Sequence, residues 1–139
     1  MSIRQLVRQI HAGPTQVVLA LAGGGSGAIG KLLQVPGASR TVLEVVVPYS
    51  AIAMNQWLGG PPEQACSAQN ARAMAMAAFL RACRLDDSGG PRAGVACTAS
   101  LATDRAKRGP HRAHVAVPTA AVTATRSVEL AKGARSRAE

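Results

Sequence analysis

Ile3, Leu6, Val7 and Ile10 fall at i, i+3, i+4 and i+7, the spacing that gathers one apolar stripe on a helix, and Gly13-Pro14 closes the segment. A short apolar run from Gln16 to Ala22 follows, bounded by turn residues. Such a run suits a strand covered on both faces, as in a parallel sheet. Next come the turn Gly23-Gly24-Gly25-Ser26-Gly27 and a helical stretch from Ala28 to Gln34. Val35-Pro36-Gly37-Ala38-Ser39 reads as a turn, and Thr41 to Val47, with three consecutive valines, as the strongest strand of the chain. Pro48 ends it. A short helix over Ala51 to Leu58 precedes the break Gly59-Gly60-Pro61-Pro62. Ser67 then caps a helix from about Ala68 to Leu85, rich in Ala and Met and stopped by Ser88-Gly89-Gly90-Pro91. Gly94 to Leu101 and Ala113 to Val117 read as an antiparallel pair joined by a basic loop, and Val122 to Ser127 as a further extended stretch. Ser127 to Arg135 has the pattern of a helix that is only beginning as the sequence reaches Glu139.

The order α-β-α-β-α-α-β-β-β, with a helix between its first two strands, predicts an α/β layered sandwich with a mixed sheet and helices packed on its faces. At 139 residues the chain fits a single domain over 1–139, its final helix truncated. An apolar share of 47% argues against wholesale disorder. With only Tyr49, Trp57 and Phe79 as aromatics, the core has to come from Ala, Val and Leu, and a base-stacking surface is excluded.

A net charge of +9 raises a nucleic-acid reading, because clustered cations displace counterions from phosphates. The cations are mostly scattered, however, and 13 of the 16 are Arg, a bias that composition alone can produce. The densest run is Arg105 to Arg112, and a second group is Lys132, Arg135 and Arg137; neither lies in a nucleic-acid-binding motif. A solvated basic surface is the expectation, and nucleic acid is not expected as a partner. Cys66, Cys83 and Cys97 are odd in number and lack C-x-x-C spacing, which fits a reducing compartment. No apolar stretch has the length of a signal peptide or a membrane span, so the expected location is cytoplasmic, with no membrane partner.

The Gly23 to Gly27 turn between strand and helix has the parts of an anion site, namely glycines that allow close approach and helix N-terminal N–H groups. A plain tight turn explains it equally well. It lacks the downstream acid of a dinucleotide fingerprint. It is not a P-loop either, because Leu32 follows Lys31 where a hydroxyl is required. Ser26 is the one catalytic candidate, although an N-cap role is the more economical reading. His111 and His114, spaced by three with no third ligand, are expected to be solvent-facing loop residues and to hold no metal. Met74 and Met76 are expected to fill the core.

Val35-Pro36-Gly37-Ala38-Ser39, Val46-Val47-Pro48-Tyr49-Ser50 and Thr98-Ala99-Ser100-Leu101-Ala102 together resemble the CinA C-terminal domain family of nicotinamide-nucleotide amidohydrolases. The resemblance runs from about Leu6 to Val117. It implies an amidohydrolase site, but counting back from Val35 sets the family's serine nucleophile on Ala22, and its lysine falls on Met54. Neither replacement can attack an amide or move the proton that the lysine handles. The resemblance therefore implies a divergent branch: a domain that binds a pyridine nucleotide or related phosphate-containing small molecule without the family's chemistry. Gly23, Gly24, Gly25 and Ser26 would supply backbone donors. Tyr49, Ser50, Thr98 and Ser100 would line the cleft, and Arg105 or Arg108 would meet phosphate. No cofactor is expected. The alternative is an active amidohydrolase whose nucleophile has moved to Ser26, so whether the chain is an enzyme stays open. A homo-oligomer or a downstream nucleotidyltransferase-like domain would be the protein partner.

Overall fold

The computed structural model describes residues 1–86, 88–100 and 111–130. Helix α1 (Ile3–Ala12) opens on a capping box in which Ser2 accepts from the Gln5 N–H while the Gln5 side chain accepts from the Ser2 N–H. Strand β1 (Gln16–Gly23), helix α2 (Gly27–Leu33), the single turn α3 (Ala38–Thr41) and strand β2 (Val42–Val46) follow. Helices α4 (Ala51–Leu58) and α5 (Ala68–Leu85) then lead to strands β3 (Arg92–Ser100), β4 (His111–Pro118) and β5 (Thr123–Leu130). The strands form one mixed sheet in the order β2-β1-β3-β4-β5, parallel across β2-β1-β3 and antiparallel from β3 to β5. The predicted α/β layered sandwich with a mixed sheet is therefore the observed class. Among the described residues no helix is long and apolar enough to cross a membrane.

The core is made with small residues because α5 lies directly on the sheet. Ala71, Met74, Ala75, Ala78 and Ala82 recur on one face of α5 and are fully buried against Val18, Ala20, Ala96 and Ala116. At the closest point a Cβ on Gly94 would lie 2.2 Å from the Ala75 carbonyl oxygen and 2.5 Å from the Phe79 nitrogen, so β3 can carry only glycine there. Trp57 ties α4 to α5 by donating its indole N–H to the Met74 carbonyl at 3.3 Å. On the other face His11 is buried, one ring nitrogen 3.0 Å from the Thr41 hydroxyl and the other 2.8 Å from the Leu32 carbonyl. That pair of bonds joins α1 to the connection between β1 and β2.

Several expected details change. The predicted turn at Val35 to Ser39 ends in α3, entered through Gly37 at φ +103°, and α3 takes Thr41 from the strand that was expected to begin there. The helix expected from Ser127 is overturned as far as Leu130: Ser127 to Leu130 complete β5, paired residue by residue with β4. Pairing with a neighbouring strand outweighs the weak local helix signal there. Residues 131–139, including the remainder of that expected helix, lie outside the described residues. Met76 is 44% exposed whereas Met74 is fully buried, because two residues along a helix turn a side chain by some 200°. His111 is not a solvent-facing loop residue but a buried member of β4. His114 lies on the same strand, 2.7 Å from the Ser127 hydroxyl. The apolar stripe of α1 is only partly used. Val7 is buried, while Ile3, Leu6 and Ile10 stay about half exposed.

Candidate functional site

Strand β1 lies between β2, reached through α2 and α3, and β3, reached through α4 and α5. The first crossover runs outward from β1 to β2 and the second runs back from β2 past β1 to β3, so they travel in opposite directions, and right-handed connections then put their helices on opposite faces. The strand order thus reverses beside the carboxyl ends of β1 and β3, the place where open α/β sheets leave a crevice. A cleft of about 660 Å³ occupies it. Ala22 and Gly23 from the end of β1, and Thr98, Ala99 and Ser100 from the end of β3, form its floor. One wall comes from Pro48 to Ile52, Met54 and Asn55 at the start of α4, the other from Pro61, Pro62, Ala65 and Cys66 ahead of α5. A smaller cleft of about 380 Å³ beside the α4–α5 connection touches neither strand end.

Local chemistry fixes both walls. Ser50 accepts from the Ala53 N–H at 3.0 Å and so starts α4, leaving Tyr49 just outside the helix and 78% exposed at the rim. Ser67 accepts from the Asn70 N–H at 3.0 Å and starts α5. Thr98, almost fully buried, donates its hydroxyl to the Ala65 carbonyl at 2.9 Å and holds that segment over the strand ends. The Cys66 thiol lies 3.9 Å from the Thr98 carbonyl and 3.7 Å from the Arg112 carbonyl, bridging β3 and β4 at the cleft edge. No Lys, Arg, Asp or Glu belongs to the described lining, which is apolar with scattered neutral polar groups.

The glycine turn sits at the end of the cleft floor. Gly23 has φ +75°, and a Cβ there would lie 2.0 Å from the Ala99 carbonyl oxygen. The Gly24 N–H is already used, donating to that same oxygen at 3.2 Å. Gly25, at φ +94°, turns the chain toward α2 above Cys97. Burial, with a smaller contribution from Cys66, raises the Cys97 thiol pKa above its ordinary range. Ser26 occupies the N-cap position of α2 but has helical angles, φ −61° and ψ −23°, and its side chain makes no cap hydrogen bond. The expected capping role is therefore corrected: an N-cap hydroxyl reaches the N2 or N3 N–H from an extended backbone, which this residue lacks.

Of the residues named from sequence, Gly23, Tyr49, Ser50, Thr98 and Ser100 meet at one cleft. Gly24, Gly25 and Ser26 are not among the residues that line it, and Arg105 and Arg108 lie outside the described residues. Ala22 and Met54, where the resemblance sets the serine and the lysine, both line it. Cys66, Ile52, Asn55 and the Pro61-Pro62 wall went unrecognised. No spacing marks them, and they reach the cleft only because α4 and α5 converge over the strand ends. Among the described residues no group of three or more His, Cys, Asp or Glu side chains is placed to hold a metal ion.

No family model and no curated protein matches the chain. Solved structures do. The competence/damage inducible protein CihA from Agrobacterium tumefaciens superposes with a TM-score of 0.75 at 25% identity, over 99% of this chain and 88% of that one. The competence damage-inducible protein A (ComA) from Klebsiella pneumoniae gives 0.72 at 17% identity, over 94% and 84%. A competence-damaged protein (CinA) superfamily protein from Escherichia coli gives 0.69 at 15% identity, over 93% and 75%. The structural neighbours of this chain are thus competence/damage-inducible proteins of the CinA superfamily, and the likeness covers most of its length.

Proposed function

We propose that this chain is a CinA-like domain that binds a pyridine nucleotide or a related phosphate-containing small molecule and does not carry out amidohydrolysis. The observation that carries the reading is the cleft at the carboxyl ends of β1 and β3, whose lining includes Ala22 and Met54. Its volume of about 660 Å³ is that of a small-molecule site, mostly apolar with a few convergent polar groups. Tyr49 at the rim offers a ring face to a planar heterocycle, and Asn55 a side-chain amide. The proposed loss of chemistry follows from the same lining. Ala22 has no hydroxyl to attack a carbonyl carbon, and the Met54 thioether carries no proton to transfer. Ser26, the alternative nucleophile, has not been brought to the lining.

Calorimetric titration with nicotinamide mononucleotide, paired with an ammonia-release assay on the same sample, tests both halves. Saturable heat with no ammonia is expected. Absence of heat from a cooperatively folded sample removes the binding role. Ammonia release that Ser26→Ala abolishes establishes the alternative instead.

A further inference from the structure

We infer that Arg112 receives the anionic end of a ligand seated in the cleft, so that the site favours a phosphate-bearing molecule over its neutral counterpart; this rests on the binding role proposed above. Arg112 lies on β4 directly opposite Ser100. Directly opposed residues of an antiparallel pair share a face with their Cβ atoms about 5 Å apart, and Ser100 is part of the cleft floor. The Arg112 side chain therefore leaves the sheet one strand beyond the floor, on the cleft's side. The Arg112 carbonyl also accepts from the Cys66 thiol at 3.7 Å, which ties this end of β4 to the cleft wall.

The side chain is half-buried, and its Nε is shielded from water without a hydrogen-bond partner. Glu129, its neighbour across β5, is exposed and forms no ion pair with it. The charge nonetheless acts locally. His114, two residues along the same face, has its pKa lowered by burial and then by Arg112. An Nε–H removed from water without a partner loses a hydrogen bond that nothing in the described fold restores, and a phosphate or carboxylate restores it through a charge-assisted, forked contact with the guanidinium. Since the cleft lining holds no charge of its own, Arg112 is the described cation placed to meet one there.

The experiment compares nicotinamide mononucleotide with its dephosphorylated nucleoside by calorimetry, on the parent chain, Arg112→Gln and Arg112→Lys. The parent should prefer the mononucleotide by about 10- to 100-fold, the range expected of one charge-assisted contact. Arg112→Gln should abolish that preference while leaving nucleoside affinity unchanged, and Arg112→Lys should retain part of it. Equal affinity of the parent for the two ligands, or a preference that survives in Arg112→Gln, overturns the role of Arg112 while the cleft remains a binding site. Binding of neither ligand to the parent overturns the binding role itself. Where Arg112→Gln does not melt cooperatively, Arg112→Lys decides: an undiminished preference would refute the forked contact.

Discussion

Replacing Gly23 with alanine should do far more damage than a single methyl group suggests. The residue ends β1 at φ +75°, a left-handed conformation that costs a side-chain-bearing residue about 1–2 kcal/mol. The added Cβ would lie 2.0 Å from the Ala99 carbonyl oxygen and 3.1 Å from its carbon, so backbone, not a flexible side chain, has to yield. Overpacking of this kind costs about 1–3 kcal/mol. Moving that carbonyl also strains the Gly24 N–H hydrogen bond to it, at 3.2 Å, worth about 1 kcal/mol. Together these give a destabilisation of about 4 kcal/mol, a large part of the 5–15 kcal/mol typical of a whole domain. The assay is urea unfolding followed by far-UV circular dichroism, with Gly27→Ala as the control. Gly27 has ordinary φ and no neighbour within 4 Å of an added Cβ, so its replacement should be neutral or stabilising by up to about 1 kcal/mol. If Gly23→Ala unfolded within about 1 kcal/mol of the parent at an unchanged m-value, the close approach of β1 to β3 at the cleft floor would be refuted.

Ser67→Ala removes the acceptor for the Asn70 N–H and the donor to the Gln64 carbonyl, and should cost about 1 kcal/mol by the same unfolding assay, whereas Ser67→Asp should retain most of the stability. Hydrogen bonding from Arg81, reinforced by its charge, holds the Glu44 carboxyl below its usual range. The stability this adds is present above the unfolded carboxylate range, near pH 4, and is lost as pH falls through the lower folded value. Arg81→Met should lower stability modestly in the neutral region, leave it unchanged below the folded carboxylate value, and so flatten the acid limb of a stability profile; an unaltered acid limb would contradict the pairing. Because burial raises the Cys97 thiol, its alkylation by iodoacetamide, followed by peptide mass mapping, should be slow at neutral pH and accelerate in alkali. Rapid labelling at pH 7 would show that the sulfur is not held under the glycine turn.

Local pattern carried most of the fold. The unbroken apolar run of β1, the valines of β2 and the breaks at Gly13-Pro14 and Gly59 to Pro62 mark their elements because periodicity and turn chemistry act over a few residues. The α/β class follows from their order. Where neighbours compete with local preference, the sequence misleads. Ser127 to Leu130 have a helical pattern but take their hydrogen bonds from β4, and His111 is buried by a strand that extends further than its composition suggests.

The site divides along the same line. Gly23 could be named from turn chemistry, and Tyr49, Ser50, Thr98 and Ser100 from the blocks that carry the family resemblance. That they share one cleft, that Cys66 closes its edge and that Ser26 stands apart are consequences of the sheet order and of where α4 and α5 converge. Arg112 shows the difference most directly. In the sequence it is the last cation of a basic run; in the fold, antiparallel register sets it opposite Ser100 and burial leaves its Nε without a partner. Composition and periodicity depend on neighbours along the chain and are legible there. Register, convergence and desolvation depend on neighbours in space, and only the tertiary structure decides them.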